Sequence, residues 1–215
     1  MNAIRNIPAG KPNARAKLLD AAIKLVRHNG FSATSVDQIC AEAKVTKGAF
    51  FHHFASKEAL GAAAAGAWTE RTEQLIFTLP EWTRMPDPLD RLLTHIDFRA
   101  AMIEGSAEDF TCFVGTMVQE SFASSDILRE ASDASLTAYA ERLAEDIEAA
   151  IDQHGIVNNI AGADISALSL AYHVQAVLQG AFILAKAKAS PEIARDNIRH
   201  LKHYVSLLFG KENGS

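Results

Sequence analysis

The sequence predicts an all-α protein, a three-helix head on a larger helical body, with about nine helices in total. Three observations predict it. Apolar residues recur at three- and four-residue spacing along most of the chain, and no strand alternation or internal repeat rises above noise. Between Thr34 and Leu60, two short capped helices stand on either side of a tight turn. Charge is also divided. Residues 1–60 carry nine Lys/Arg against four Asp/Glu, or +5, and the remainder carries twelve against twenty-two, or −10, giving the formal −5 of the whole chain. A basic head on an acidic body predicts a polyanionic partner for the head alone.

Residues 1–11 read as a disordered tail, whose Arg5 and Lys11 either reach a neighbouring groove or stay solvated. Helix 1 is expected over Asn13–His28, with Leu18, Leu19, Ala22, Ile23 and Val26 as its buried stripe and Gly30 as a left-handed cap. Ser35 and Gln38 form a capping box for helix 2, in which Val36, Ile39, Cys40 and Ala43 face inward. Lys44 and Val45 make the turn. Thr46 caps helix 3, with Phe50 and Phe54 inward and Lys47, Gly48, Ala49, Phe51, His52 and His53 outward. This is a helix-turn-helix whose second helix is shaped for a DNA major groove, Gly48 and Ala49 leaving room for close backbone approach.

The string TKGAFFHHFASKEAL, with Thr34 and Ile39 upstream, closely resembles the DNA-binding signature of TetR-type transcriptional regulators. The resemblance covers about the first quarter of the chain; beyond it only length and helical character agree. The DNA-binding candidates are Thr34, Ser35, Thr46, Lys47, Gly48, Ala49, Phe51, His52 and Lys57, of which Thr34, Thr46, His52 and Lys57 are expected to donate to phosphates while residues 47–51 face base edges. Phe51 departs from the family's usual Tyr and exchanges a phosphate hydrogen bond for an apolar contact. His53 either shares this face or packs inward.

Ser56 caps helix 4, which continues through an Ala-rich stretch and Trp68 to about Phe77. The resemblance implies that helix 4 transmits ligand-driven movement. LPEWTRMPDP then breaks the chain, and Leu89, Leu92, Leu93, Ile96, Ala100 and Ile103 mark the next helix. A short apolar helix is expected over Phe110–Phe122, a long one over Asp126–His154, and another from an Asp164 cap to Lys188. The last starts with Pro191 at its first position. The final two helices carry more apolar surface than a monomer needs, predicting a homodimer through a four-helix bundle across a two-fold axis. Domains are accordingly drawn at 1–56 for the DNA-binding head, 57–210 for a ligand-binding and dimerising body joined through helix 4, and 211–215 for a disordered tail.

Trp68, Phe98, Met102, Phe113, Met117, Tyr139 and Phe182 either line an apolar cavity for a small molecule or form plain core. His173 and Gln175 interrupt an apolar helix and need partners, either each other or a ligand. Cys112 lies in TCFVGTMVQESF, which resembles a segment of a TetR branch that includes sensors of electrophiles and oxidants. A thiol at a helix start is activated, although Glu108 and Asp109 oppose that, and inert packing is the competing reading. Cys40 reads as a small buried hydrophobe. His200 and His203 have metal-pair spacing but no third ligand, so no metal or cofactor is expected.

Composition is that of a soluble globular chain, 48% hydrophobic and 22% charged. No apolar run reaches the roughly 20 residues that span a bilayer, and the N-terminal stretch has no signal-peptide core, which predicts a cytoplasmic protein. The functional expectation is a dimeric repressor on a palindromic operator of double-stranded DNA, released by a small apolar or reactive inducer. The rival is an architectural DNA binder that ignores small molecules. An enzyme is disfavoured, because no phosphate loop, nucleophile elbow or acid/base constellation is found.

Overall fold

The computed structural model describes residues 13–157 and 165–211. The readings of Arg5, Lys11, Asp164 and the tail beyond 211 lie outside these residues. Regular elements among the described residues are all helical. They form two compact units, and the chain passes between them after Leu75, Phe110 and Thr137.

The first unit holds α1 (Ala14–Asn29), α2 (Val36–Ala43), α3 (Lys47–His53), α4 (Lys57–Thr72), α8 (Phe113–Ser121) and the start of α9 (Asp126–His154). Local caps set its helix starts. Asn13, Ser35, Thr46 and Ser56 each accept a backbone N–H three residues ahead, and the Ser35–Gln38 capping box is complete. Leu18, Ile23, Ile39, Phe50, Leu60 and Met117 belong to one continuous hydrophobic core in which α8 is an integral wall. Gly61 shows how tightly it closes. A Cβ there would stand 2.8 Å from Leu128 and 2.9 Å from the Phe31 ring.

Gly30 ends α1 at φ 90° and ψ 162°. This is a backbone region open essentially only to glycine, not the left-handed helical cap expected from sequence. A Cβ there would also collide with the Glu120 carboxylate, which accepts the Ser32 N–H at 2.8 Å. The helix expected over Phe110–Phe122 is broken. A single turn, α7 (Ala107–Phe110), stops, Cys112 takes an extended conformation, and α8 begins at Phe113. Cys112 is therefore a cap outside the helix rather than a member of it. Its Sγ accepts the Gly115 N–H at 3.4 Å.

The second unit holds α5 (Pro80–Thr83), α6 (Pro88–Ala101), α7, the rest of α9, α10 (Ala167–Lys188) and α11 (Pro191–Leu208). The chain enters it within a π-helical turn, Glu73–Phe77, that follows α4. Asp87 caps α6 and Pro88 opens it. Arg91 meets Asp146 at 2.8 Å, tying α6 to α9, and Lys202 meets Asp97 at 2.6 Å, tying α11 to α6. Ser166, accepting the Ser169 N–H at 3.2 Å, is the N-cap of α10.

α10 is 22 residues long with an 18-residue window of mean hydropathy 1.4, long and apolar enough by length and composition to cross a membrane. The sequence criterion of uninterrupted apolar runs misses it because His173, Gln175 and Gln179 punctuate the stretch. Here α10 lies against α11 and α7, burying Leu170, Val174, Leu178 and Phe182.

Candidate nucleic-acid interface

The helix-turn-helix is built from short-range chemistry. Lys44, in the left-handed conformation at φ 55°, closes α2 and turns the chain, at a backbone cost of roughly 1–2 kcal/mol that the hydrogen bonds of the turn offset. Thr46 then restarts it. Its hydroxyl accepts the Ala49 N–H at 3.1 Å. Phe50 and Phe54 are buried, so α3 is anchored by one side only. The other side presents Lys47, Gly48, Phe51, His52 and His53, all exposed, with Ala49 half-buried among them.

Two features of that side ask for a partner. Gly48 sits in a helix, where it is less favourable than Ala by about 0.5–1 kcal/mol. Nothing among the described residues requires it: the nearest atom to an added Cβ would be the Thr46 hydroxyl, at 3.8 Å. Phe51 is 53% exposed, edge-on to Phe50 at 5.1 Å between ring centroids. Small and polar residues around one bare ring suit a groove with both phosphates and apolar base edges.

Lys47 meets Asp37 at 2.9 Å, with both side chains more than half exposed. Such a surface pair is worth less than about 1 kcal/mol and yields readily to a phosphate. Cys40, behind it, is buried. Desolvation first, then Asp37, pushes its thiol pKa up, against the opposing charge of Lys47, which fits the small hydrophobe expected.

Two residues assigned to phosphates stand elsewhere. Thr34 is fully buried, and its hydroxyl donates to the Gly30 carbonyl at 2.7 Å. Lys57 turns its ammonium inward, donating to the carbonyls of Phe31 and Thr34 at 3.0 and 3.1 Å and lying 4.4 Å from the centre of the Phe31 ring. The reason is shared. The α1–α2 connection leaves carbonyls with no helical partner, and these two side chains satisfy them. Ser35 and Thr46 are exposed caps, so each hydroxyl is engaged locally yet within reach of solvent.

The candidate ligand residues divide between the units. In the first, Phe113 and Met117 are fully buried core, while Trp68 is half-buried against Phe113 at 6.2 Å, with the Arg27 guanidinium 5.1 Å over its ring. Arg27, passed over in the sequence, donates from Nε to the Thr111 carbonyl at 2.7 Å, just before the half-buried Cys112. In the second unit Phe98, Met102 and Tyr139 are half-buried, and Phe182 is buried against Phe110 at 6.0 Å. His173, expected to interrupt a buried stripe, is exposed and edge-on to Tyr204 at 5.2 Å; Gln175 is the buried one.

Sequence reading also missed His95. It is 3% exposed, and its Nε2 lies 2.8 Å from the Tyr139 hydroxyl. Burial first, then the charges of Arg99 and Arg142, pushes the imidazole pKa down to about 3, so it is neutral at pH 7. The available signal was its place on the inner face of α6, three residues from Leu92 and one from Ile96.

Residues 18–64 match the family described as bacterial regulatory proteins, tetR family, and residues 88–201 match the tetracyclin repressor-like C-terminal domain. The chain is 30% identical over 115 residues to the HTH-type transcriptional repressor DhaR of Mycobacterium sp. strain GP1, covering 54% of this chain and 56% of that one. It is 28% identical over 145 residues to the transcriptional regulator AcuR of Cereibacter sphaeroides, covering 66% and 65%. The match thus spans less than two thirds of either relative. The crystal structure of the regulatory protein TetR from Rhodobacter sphaeroides superposes with a TM-score of 0.75 at 25% identity, over 90% of this chain and 99% of that one. With a helix-turn-helix at its start and both family domains matched along its length, the chain belongs to the TetR family of DNA-binding transcriptional regulators.

Proposed function

We propose that this protein is a cytoplasmic, homodimeric repressor, in which residues 1–56 read a palindromic operator and residues 57–210 dimerise and bind a small inducer. The observation that carries the DNA reading is the outer side of α3, where Gly48 has open space instead of a packing reason. Ser35, Thr46, Lys47, Gly48, Ala49, Phe51 and His52 form the reading surface. Thr34 and Lys57 hold the connection beneath it. The repressor sign draws on the name of DhaR.

Dimerisation draws on exposed apolar side chains at one pair of helices: Leu168, Tyr172, Ile183 and Leu184 on α10, and Tyr204 and Leu207 on α11. Two-fold pairing also supplies two recognition helices for half-sites about one DNA turn apart. An inducer needs only to prefer the non-binding arrangement by roughly 1–3 kcal/mol to change operator affinity noticeably. The chain crosses from one unit to the other in a π-helical turn, an irregularity frequent at functional sites, and this fits a moving connection.

The test is fluorescence anisotropy with a duplex selected from random sequence, titrated over a range of salt. Wild type should bind saturably, two chains per duplex. Lys47→Ala should weaken binding and lower the salt slope by about 1, the signature of one lost phosphate contact. Lys57→Met should leave that slope in place. If no selected duplex outcompetes a scrambled one, the operator reading fails.

A further inference from the structure

The second unit contains a polar group that DNA binding and dimerisation leave unused. His95 and Phe77 are both buried, stacked at 5.3 Å, and the Tyr139 ring stands edge-on to Phe77 at 5.1 Å while its hydroxyl meets His95. One turn along α6 from His95, Arg99 lays its guanidinium over the Tyr139 ring, 5.8 Å from the centroid. Arg99 Nε is buried and has no hydrogen-bond partner among the described residues.

Four other arginines of this unit set the contrast, while Arg84 is exposed to water. Arg91 pairs with Asp146, Arg142 with Glu145, Arg195 with Glu192 and Arg199 with Asp196. Arg99 makes no such pair among the described residues. A guanidinium drawn against an aromatic ring, with a sealed nitrogen and no acceptor, is unfavourable unless something else supplies the acceptor. The planar fork of donors matches a carboxylate best.

We propose that Arg99 anchors the carboxylate of a small organic acid, with the half-buried Tyr139 as a second contact and Met102, on the same side of α6, against the acid's apolar body. His95 and Phe77, buried behind, act as positioning residues that hold the phenol ring. A second guanidinium, Arg142, lies 5.2 Å over the Phe77 ring but is paired with Glu145 and Asp146, so Arg99 is the positive centre left for a ligand, and a monoanion matches it. This deepens the inducer reading above and rests on it.

The probes are sodium benzoate and sodium propionate, each set against its amide, on the full chain by thermal shift and titration calorimetry. At least one acid should raise the melting midpoint with concentration while its amide at equal concentration does not. Arg99→Gln should abolish the shift or weaken binding at least about tenfold, and Arg99→Lys should retain part of it. The inference is overturned if amides match acids, if Arg99→Gln binds as wild type does, or if neither acid shifts the midpoint. Should Arg99→Gln fail to fold, the acid–amide comparison on wild type decides. DNA anisotropy separates the two readings. Release by an uncharged compound and by neither acid would keep ligand control and sink the carboxylate site. Arg99-dependent acid binding without release would keep the site and sink the control.

Discussion

The outer side of α3 and the outer side of α10–α11 are opposite solutions to leaving a helix half-covered. α3 sinks Phe50 and shows solvent a lysine, a glycine and two histidines, with Phe51 the one bare ring. α10 and α11 bury Leu170, Val174, Ile198 and Leu201, yet still expose Ile183, Leu184, Tyr204 and Leu207. A face that is small and polar but includes an otherwise needless glycine fits a hydrated, grooved polyanion. A face with large apolar groups on both helices fits a protein surface that excludes water. The lesson is that the type of residue left outside, more than the amount, separates the two kinds of partner.

Four changes would break or sharpen this contrast. The largest concerns the anchor of α3. Phe50→Ala should destabilise the chain by about 3–5 kcal/mol in urea unfolding, removing a fully buried ring from the first unit's core. Next, Leu184→Glu places a charge on the proposed dimer face. It should convert dimer to monomer at micromolar concentration in sedimentation velocity, weakening association by about 3 kcal/mol or more, and an unchanged dimer would move the interface elsewhere.

His95 supplies the third. Its folded pKa lies below its unfolded value, so the unfolded chain binds the extra proton, and stability is present above about pH 6.5 and falls as pH drops toward 3. The slope attributable to it approaches about 1.4 kcal/mol per pH unit. His95→Gln, which still can pair with Tyr139 but does not titrate, should flatten the stability–pH curve between pH 6.5 and 4 relative to wild type. The smallest effect is the most diagnostic. Gly48→Ala should stabilise the fold by about 0.5–1 kcal/mol while weakening operator binding. A stabilised variant that binds DNA as before would remove the close-approach argument.

The helix starts in the first unit were legible because their determinants are three residues long. Ser35 with Gln38, Thr46 with Ala49 and Ser56 with Ala59 are written consecutively in the chain. The inward Phe50 and Phe54 followed from spacing alone. The 29-residue α9 followed from its apolar spacing too, and the start of α11 from Pro191.

What sequence by itself determined was therefore the helical class, the family's head motif, most helix bounds and the side of α3 that faces out, because each depends on contacts within one or two turns. Tertiary structure alone decided which polar groups are engaged elsewhere. Thr34 and Lys57 serve carbonyls across the α1–α2 connection, and Arg27 reaches Thr111 over 84 positions. Ser32 meets Glu120 over 88 positions, and His95 meets Tyr139 over 44. Desolvation and hydrogen-bond satisfaction act through space, so a lysine that reads as a phosphate donor becomes a loop clamp, and a histidine inside an apolar stripe becomes a buried neutral group.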